Sequence, residues 1–285
     1  MLNAITVDVE EYFHVEAFAG CIDPKSWGNF ESRVERSVDI ILRLLQNHGT
    51  RGTFFILGWI AERRPGLVRR IAEAGHEIGC HGFGHQRIHR QTQDQFRQDI
   101  QRARKVLTEL AQNPVVCYRA PSFSITKTTL WALDVLAEEG FEIDSSIFPV
   151  RHDLYGIPDG KRFPYLETTP GGKRIFEFPP STIRLVNNNW AVGGGGYLRL
   201  FPYQITRRAI QRLNNKEKQP AMVYFHPWEV DPAQPRISAS PLSKFRHYVN
   251  LSKTEKKIER LLRDFHFGTV SEVCSRLEAR REATM

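Results

Sequence analysis

Three histidines stand four residues apart in "HEIGCHGFGHQRIH", at His81, His85 and His89, with His76 just upstream. Imidazoles at that spacing either line one face of a helix or converge from a tight loop. A helix through "HGFGH" would hold Gly82 and Gly84 in its interior, each costing about 1 kcal/mol, with Gly79 just before them. A loop after a buried strand is the better reading, because glycines let the backbone fold until two imidazoles meet at one point. Zinc enzymes commonly hold the metal by three protein ligands, and mixed sets of histidine and carboxylate are frequent. The remaining ligand is expected at another strand's carboxyl end, where "VDVEEYF" supplies Asp8 and Glu10. Alternation along a strand points both to one side, so one carboxylate would bind the metal while the other takes a proton from water. Two further strand-like runs stop in polar chemistry, "VVCYRAPSF" at Arg119 and "AMVYFHPWE" at His226. His76 and His89 read as ordinary polar residues.

The elements that must position these groups alternate. "AITVDV" reads as a buried strand and is followed by a helix that spaces Val34, Val38, Ile41 and Leu45 and stops at Gly49. "GTFFILG", a helical "PGLVRRIAEAG" and the strand "HEIGC" come next. A helix through Phe96, Ile100, Ala103, Leu107 and Leu110 follows, then the strand "VVCYR", the helix "KTTLWALDVLAEEG" and the strand "FEIDSS". Such alternation implies parallel strands with helical crossovers, closed into a barrel or laid out as an open sheet, with ligands at the carboxyl ends of the strands. Residues 150–200 break the rhythm with prolines and glycines, and read as an insertion carrying one strand, "RIFEFP". A helix near 203–215, the strand "AMVYFHP", a long helix over 241–264 and a terminal helix after "FGTV" are expected beyond it. No linker interrupts the 285 residues, so one domain is expected, with a C-terminal helical extension over 241–285.

The totals exclude some function classes. A hydrophobic fraction of 41% and a charged fraction of 25% are those of a globular chain. The net charge of +8 is spread over clusters such as "KTEKKIERLLR" that include acids and read as solvated helix faces, so no nucleic-acid partner is expected. The four cysteines form no C-x-x-C pair and read as reduced thiols. Acids begin at Asp8, where an export signal would need its apolar core. A cytoplasmic location is therefore expected, with the basic surface making a peripheral contact at the inner face of the membrane.

In order along the chain, "VDVE", "HGFGH", "RAP" and "YFHP" resemble the motifs of the polysaccharide deacetylases of carbohydrate esterase family 4, the NodB-homology fold. "GGGGYLRLFP", "YFHPWEVDPAQPR" and "FRHYVNL" look like the subgroup found with exosortase-linked exopolysaccharide loci. The resemblance spans nearly the whole chain. It implies a distorted (β/α) barrel of about seven parallel strands and a metal-dependent hydrolase that removes N-acetyl groups from amino sugars of a polysaccharide or its precursor. It implies Asp8 as base, Glu10, His81 and His85 as ligands of a divalent metal, most naturally zinc, and Arg119 as the partner that orients Asp8. His226 would be the general acid, Asp144 the acid that tunes it, the loop amide around Ser122 an oxyanion donor, and Trp190 a replacement for the family's usual tryptophan. Trp228 could stack on a sugar ring. The family's first motif usually reads T-F-D-D-G, whereas "TVDVE" displaces and lengthens the second carboxylate, as in the branch that includes cyclic-amide hydrolases. A hydrolase of small or cyclic amides and a catalytically silent glycan-binding barrel are therefore the rival readings. "GGGG" at 193–196, with no following helix and Lys-Ser or Lys-Thr, is not a phosphate loop and reads as a flexible substrate-side loop. The oligomeric state is not set by anything in the sequence.

Overall fold

The computed structural model describes residues 1–152 and 155–282. Its first strand, β1 (Leu2–Val9), is buried from Asn3 onward, as a parallel strand covered on both faces must be. Along the chain follow α1 (Val34–Asn47), β2 (Thr53–Ile56), α2 (Gly58–Arg63), α3 (Pro65–Glu73), β3 (Glu77–Cys80), α4 (Gln93–Ala111), β4 (Cys117–Tyr118), α5 (Trp131–Glu138) and β5 (Ile143–Asp144). The insertion contributes β6 (Tyr165–Thr168), β7 (Arg174–Glu177), β8 (Thr182–Leu185) and β9 (Asn188–Ala191). Last come α6 (Gly195–Leu200), α7 (Tyr203–Asn215), β10 (Met222–Phe225), α8 (Pro241–Tyr248), α9 (Leu251–Asp264), β11 (His266–Gly268) and α10 (Val270–Glu282).

The main sheet runs β10-β1-β2-β3-β4-β5-β7-β6, and every neighbouring pair is parallel except the edge pair β6–β7. A short β11 pairs parallel with β1. The period of two sorts the residues into an outer and an inner layer. Ile5, Val7 and Val9 of β1, with Phe54 and Ile56 of β2, pack outward with the helices, among them Val38, Ile41 and Leu45 of α1. Ala4, Phe55, Ile143, Phe176 and Met222 point inward and meet Val270, Val273 and Cys274 of α10. The same alternation turns Thr6 and Asp8 into the interior beside Arg119. α4 begins with a reciprocal cap between Thr92 and Gln95, an arrangement in which the cap residue alone is worth about 1 kcal/mol.

The sheet is a half-barrel: β7 and β10 do not pair. The backbone flanking the separate β8–β9 hairpin fills that seam. Val192 N–H donates to Ser181 O, Tyr224 N–H donates to Gly193 O at 2.8 Å, and Gly194 forms a parallel bridge with Tyr224. A Cβ on Gly193 would strike the carbonyl oxygen of Met222, and one on Gly194 that of Tyr224. "GGGG" therefore serves close backbone approach along the barrel wall, correcting the expectation of a flexible substrate-side loop. The long helix expected over 241–264 is two helices, α8 and α9, parted at Val249 and at Asn250, whose φ of 55° is left-handed. Among the described residues no helix is long and apolar enough to cross a membrane, and the four cysteines are free thiols.

Candidate active site and metal centre

The polar groups gather where β1, β3, β4 and β10 end. Beyond β3 the chain turns through Gly82 at φ 73° and His85 at φ 51°. Left-handed backbone is uncommon outside glycine and persists where surroundings hold it. Here Phe83 and Gly84 donate their N–H groups to the Asp99 carboxylate of α4, at 2.7 and 3.3 Å. Gly58 and Trp59, at the start of α2, donate to the carbonyls of Gly82 and Phe83. So braced, the loop directs both imidazoles at the acid following β1: His81 Nε2 and His85 Nε2 each lie 3.0 Å from Glu10 Oε1.

His81 Nδ1 lies 2.7 Å from Arg119 O, and a carbonyl only accepts, so Nδ1 carries a hydrogen and in the neutral ring Nε2 presents its lone pair. That lone pair faces a carboxylate oxygen, which is a set of donor atoms suited to a cation. Glu10, His81 and His85 offer ligand atoms all within 4.8 Å of one another, the one such cluster among the described residues. Burial works against charge on Glu10, but His85 and His226 outweigh it and hold the carboxyl well below its ordinary range. Burial likewise opposes the His85 imidazolium, and Glu10 overcomes it, lifting that histidine.

Asp8 is 1% exposed, and Arg119 is fully buried. Arg119 Nη1 donates to Asp8 Oδ1 at 2.6 Å and to Thr6 Oγ1 at 2.8 Å, while Nη2 donates to Ser145 Oγ. Its guanidinium lies over the Phe55 ring at 4.2 Å. These contacts fix one oxygen of Asp8 and leave Oδ2 turned to His226 Nε2, 3.9 Å away. His226 Nδ1 bonds Glu229 Oε1 at 2.7 Å, and Glu229 is in turn bonded by Arg199 Nε at 2.6 Å. Burial disfavours the His226 imidazolium, yet Glu10, Glu229 and Asp8 together raise it to about 9. The ring stacks on Trp228, which also stacks on His247, with centroids 5.1 and 4.2 Å apart.

Six residues picked out from sequence thus meet on one rim: Asp8, Glu10, His81, His85, Arg119 and His226. Ser122 stands in the turn after β4 with a left-handed φ of 54°. Asp144 does not tune His226. Its carboxylate bonds Ser146 Oγ and the Ser146 N–H and pairs with Glu177, and the acid on His226 is Glu229. Trp228 is 5% exposed, so it supports the His226 ring and offers no face to a sugar. Trp190 is 53% exposed on β9, at the border of a cleft of about 1010 Å³. Two participants were missed. Glu229 follows His226 by three residues in a segment with a helical start, a capping signal legible in "HPWE". His14 is buried, accepts the Glu11 N–H at Nδ1, and stacks on His85 with centroids 6.3 Å apart. No spacing signal marks it.

A family model described as polysaccharide deacetylase matches residues 24–141, and one described as a domain of unknown function (DUF3473) matches residues 145–275. A crystal structure from Mycobacterium smegmatis, ascribed to a polysaccharide deacetylase, superposes with a TM-score of 0.65 over 98% of this chain and 92% of its own, at 20% identity. A family 4 carbohydrate esterase from Streptomyces lividans, in complex with acetate, gives a TM-score of 0.50 over 94% and 91%, at 15% identity. The fold is thus the NodB-like (β/α) half-barrel of these esterases. In sequence, a peptidoglycan-N-acetylglucosamine deacetylase of Bacillus cereus is 28% identical over 144 residues, 46% of this chain and 51% of its own length. The chain spans about half, or less, of the length of the first curated relatives it matches.

Proposed function

We propose that this chain is a metal-dependent deacetylase that hydrolyses the N-acetyl group of amino sugars in a polysaccharide or peptidoglycan strand. The observation that carries the reading is the convergence of Asp8 and His226 beside the Glu10, His81 and His85 cluster: His226 Nε2 lies 3.9 Å from Asp8 Oδ2 and 4.0 Å from Glu10 Oε1. That donor set would hold a divalent ion, with zinc the natural occupant of two imidazoles and one carboxylate. When bound, the ion polarises an amide carbonyl and eases ionisation of water.

The remaining chemistry belongs to the side chains. Arg119 holds Asp8 Oδ1, so Oδ2 takes the proton of the attacking water. As the tetrahedral species collapses, His226 Nε2, charged by virtue of its carboxylate neighbours, protonates the leaving nitrogen. Acetate and a free amine result. Glu229 fixes the His226 ring so that Nε2 faces the site. Deacetylase names among the relatives support this reading and point to a cell-wall glycan, while the motif resemblance to the exosortase-linked subgroup offers an exopolysaccharide as the other substrate.

The test is acetate release from N-acetylglucosamine oligomers by the protein reconstituted with zinc, run beside elemental analysis of the same sample. Acetate formed in proportion to bound metal is expected. A metal-loaded protein that releases none, or a metal-stripped one that releases as much, refutes the proposal.

A further inference from the structure

A cleft whose lining includes none of the metal-cluster residues lies between the β6 arm and the β8–β9 hairpin, and its volume of about 1010 Å³ is that of a generous ligand site. Its charge is one-sided. Arg151, Lys161, Arg162 and Arg184 line it, against Asp159, which is held by Lys127 at 2.7 Å. Arg162 is anchored by Glu217 at 2.9 Å and by Thr182, and Lys161, loosely paired with Glu167 at 3.9 Å, lies over the Tyr165 ring at 4.2 Å. Arg184 has no acidic partner among the described residues.

The hairpin's register shows where Arg184 points. Arg184 pairs with Asn189 and Thr182 with Ala191, so these four share a face, the one that Arg162 grips through Thr182. Asn189 donates to Pro158 O at 3.3 Å, tying that face to the segment across the cleft. Asn187 and Asn188 add amides at the turn, while Trp190 borders the cleft from the opposite face. The wall is continuous with the reaction rim. Val150 and Tyr197 line the cleft and pack in one cluster with Phe123, Phe148 and Tyr224, and the Tyr224 ring lies 6.1 Å from that of His226.

We propose that this cleft binds a carboxylate-bearing sugar of the glycan strand, flanking the residue to be deacetylated, and that the enzyme therefore prefers acidic heteropolysaccharides; the identity of that strand rests on the function proposed above. Guanidinium groups recognise carboxylates by paired charged hydrogen bonds, and the asparagine amides suit sugar hydroxyls.

The test measures binding by calorimetry on the full chain, with hyaluronan hexasaccharide, which alternates glucuronate with N-acetylglucosamine, against chitohexaose, which is neutral. Hyaluronan should bind about tenfold more tightly at low salt, the scale of one charge-assisted hydrogen bond, and lose that advantage as salt rises. The exposed pair Lys161→Gln and Arg184→Gln should erase the preference for hyaluronan over chitohexaose, with circular dichroism confirming that the variant is folded. Equal affinities, a preference that survives these substitutions, or a short polythymidylate bound as tightly as hyaluronan would each overturn the proposal. Acetate assays on the same samples keep the two readings apart: preference without turnover sinks the deacetylase, and turnover without preference sinks the acidic subsite.

Discussion

Replacing Glu229 by Gln removes one charge from the buried line Arg199–Glu229–His226 and preserves its shape. Two magnitudes follow. His226 stands at about 9 against an ordinary 6.5, which is about 3 kcal/mol of net preference for the imidazolium. Among the described residues Glu229 is the one carboxylate in direct hydrogen-bond contact with that ring, so its neutralisation should move the basic limb of the acetate-release profile down by about 1–2 pH units. The other magnitude concerns Arg199, which is 3% exposed and, once Glu229 is neutral, has only uncharged acceptors: the carbonyls of His247 and Val249 and the new amide oxygen. Leaving one member of a buried ion pair without its partner typically costs about 3–5 kcal/mol, against a total stability of about 5–15 kcal/mol. The variant should therefore fold with a clearly lower melting temperature, and adding Arg199→Met should recover much of the loss without restoring the pH profile. The assay is initial acetate release between pH 5 and 10 on samples whose circular dichroism melts are recorded in parallel. A folded Glu229→Gln protein with an unmoved basic limb would refute the role given to Glu229.

Glu10→Gln and His81→Ala should each abolish retention of a divalent metal through dialysis, read by elemental analysis; unchanged stoichiometry would place the ion elsewhere. Burial, reinforced by Arg51 for His76 and by Arg199 for His247, lowers these histidines to about 4 and about 3. The unfolded chain protonates both below about 6.5 while the folded chain does not, so their stability contribution is full above that pH and is lost as pH falls toward 4. By pH 5 each should have cost about 2 kcal/mol, visible as a lower urea midpoint than at pH 7, and His247→Gln should flatten that slope. Gly194→Ala should lower stability by about 1–3 kcal/mol, because the methyl meets the Tyr224 carbonyl; its φ is extended, so an unchanged melting temperature would mean that the seam has slack.

Much of this site was legible because its signals are local. Strand alternation put Asp8 inward, and the glycines of "HGFGH" excluded a helix. The regular exchange of strand-like and helix-like runs implied parallel strands with helical crossovers but left a barrel and an open sheet equally open, and the barrel came from the resemblance of the motifs. What escaped depends on distant neighbours. Asp144 and Glu229 are both acids near strand ends, and only the stacking of His226 on Trp228 decides which of them the imidazole faces. Trp228 is flanked by Pro227 and Glu229, a neighbourhood that reads as surface, yet His247 from α8 covers it. The break between α8 and α9 rests on one asparagine in a left-handed conformation inside a helix-compatible stretch. The glycine run was misread because demand for space and demand for freedom leave the same mark in a sequence.

That seam joins two lengths of chain with different duties. The residues after Gly194 lead into α6, which supplies Arg199 to Glu229, and those before it form the hairpin that walls the cationic cleft. β10, to which the glycines are stitched, carries His226 at its tip. A tug on the hairpin by a bound strand would therefore be felt at both ends of the histidine's support, which would make grip on the proposed polymer and aim of the proposed proton donor mechanically a single adjustment.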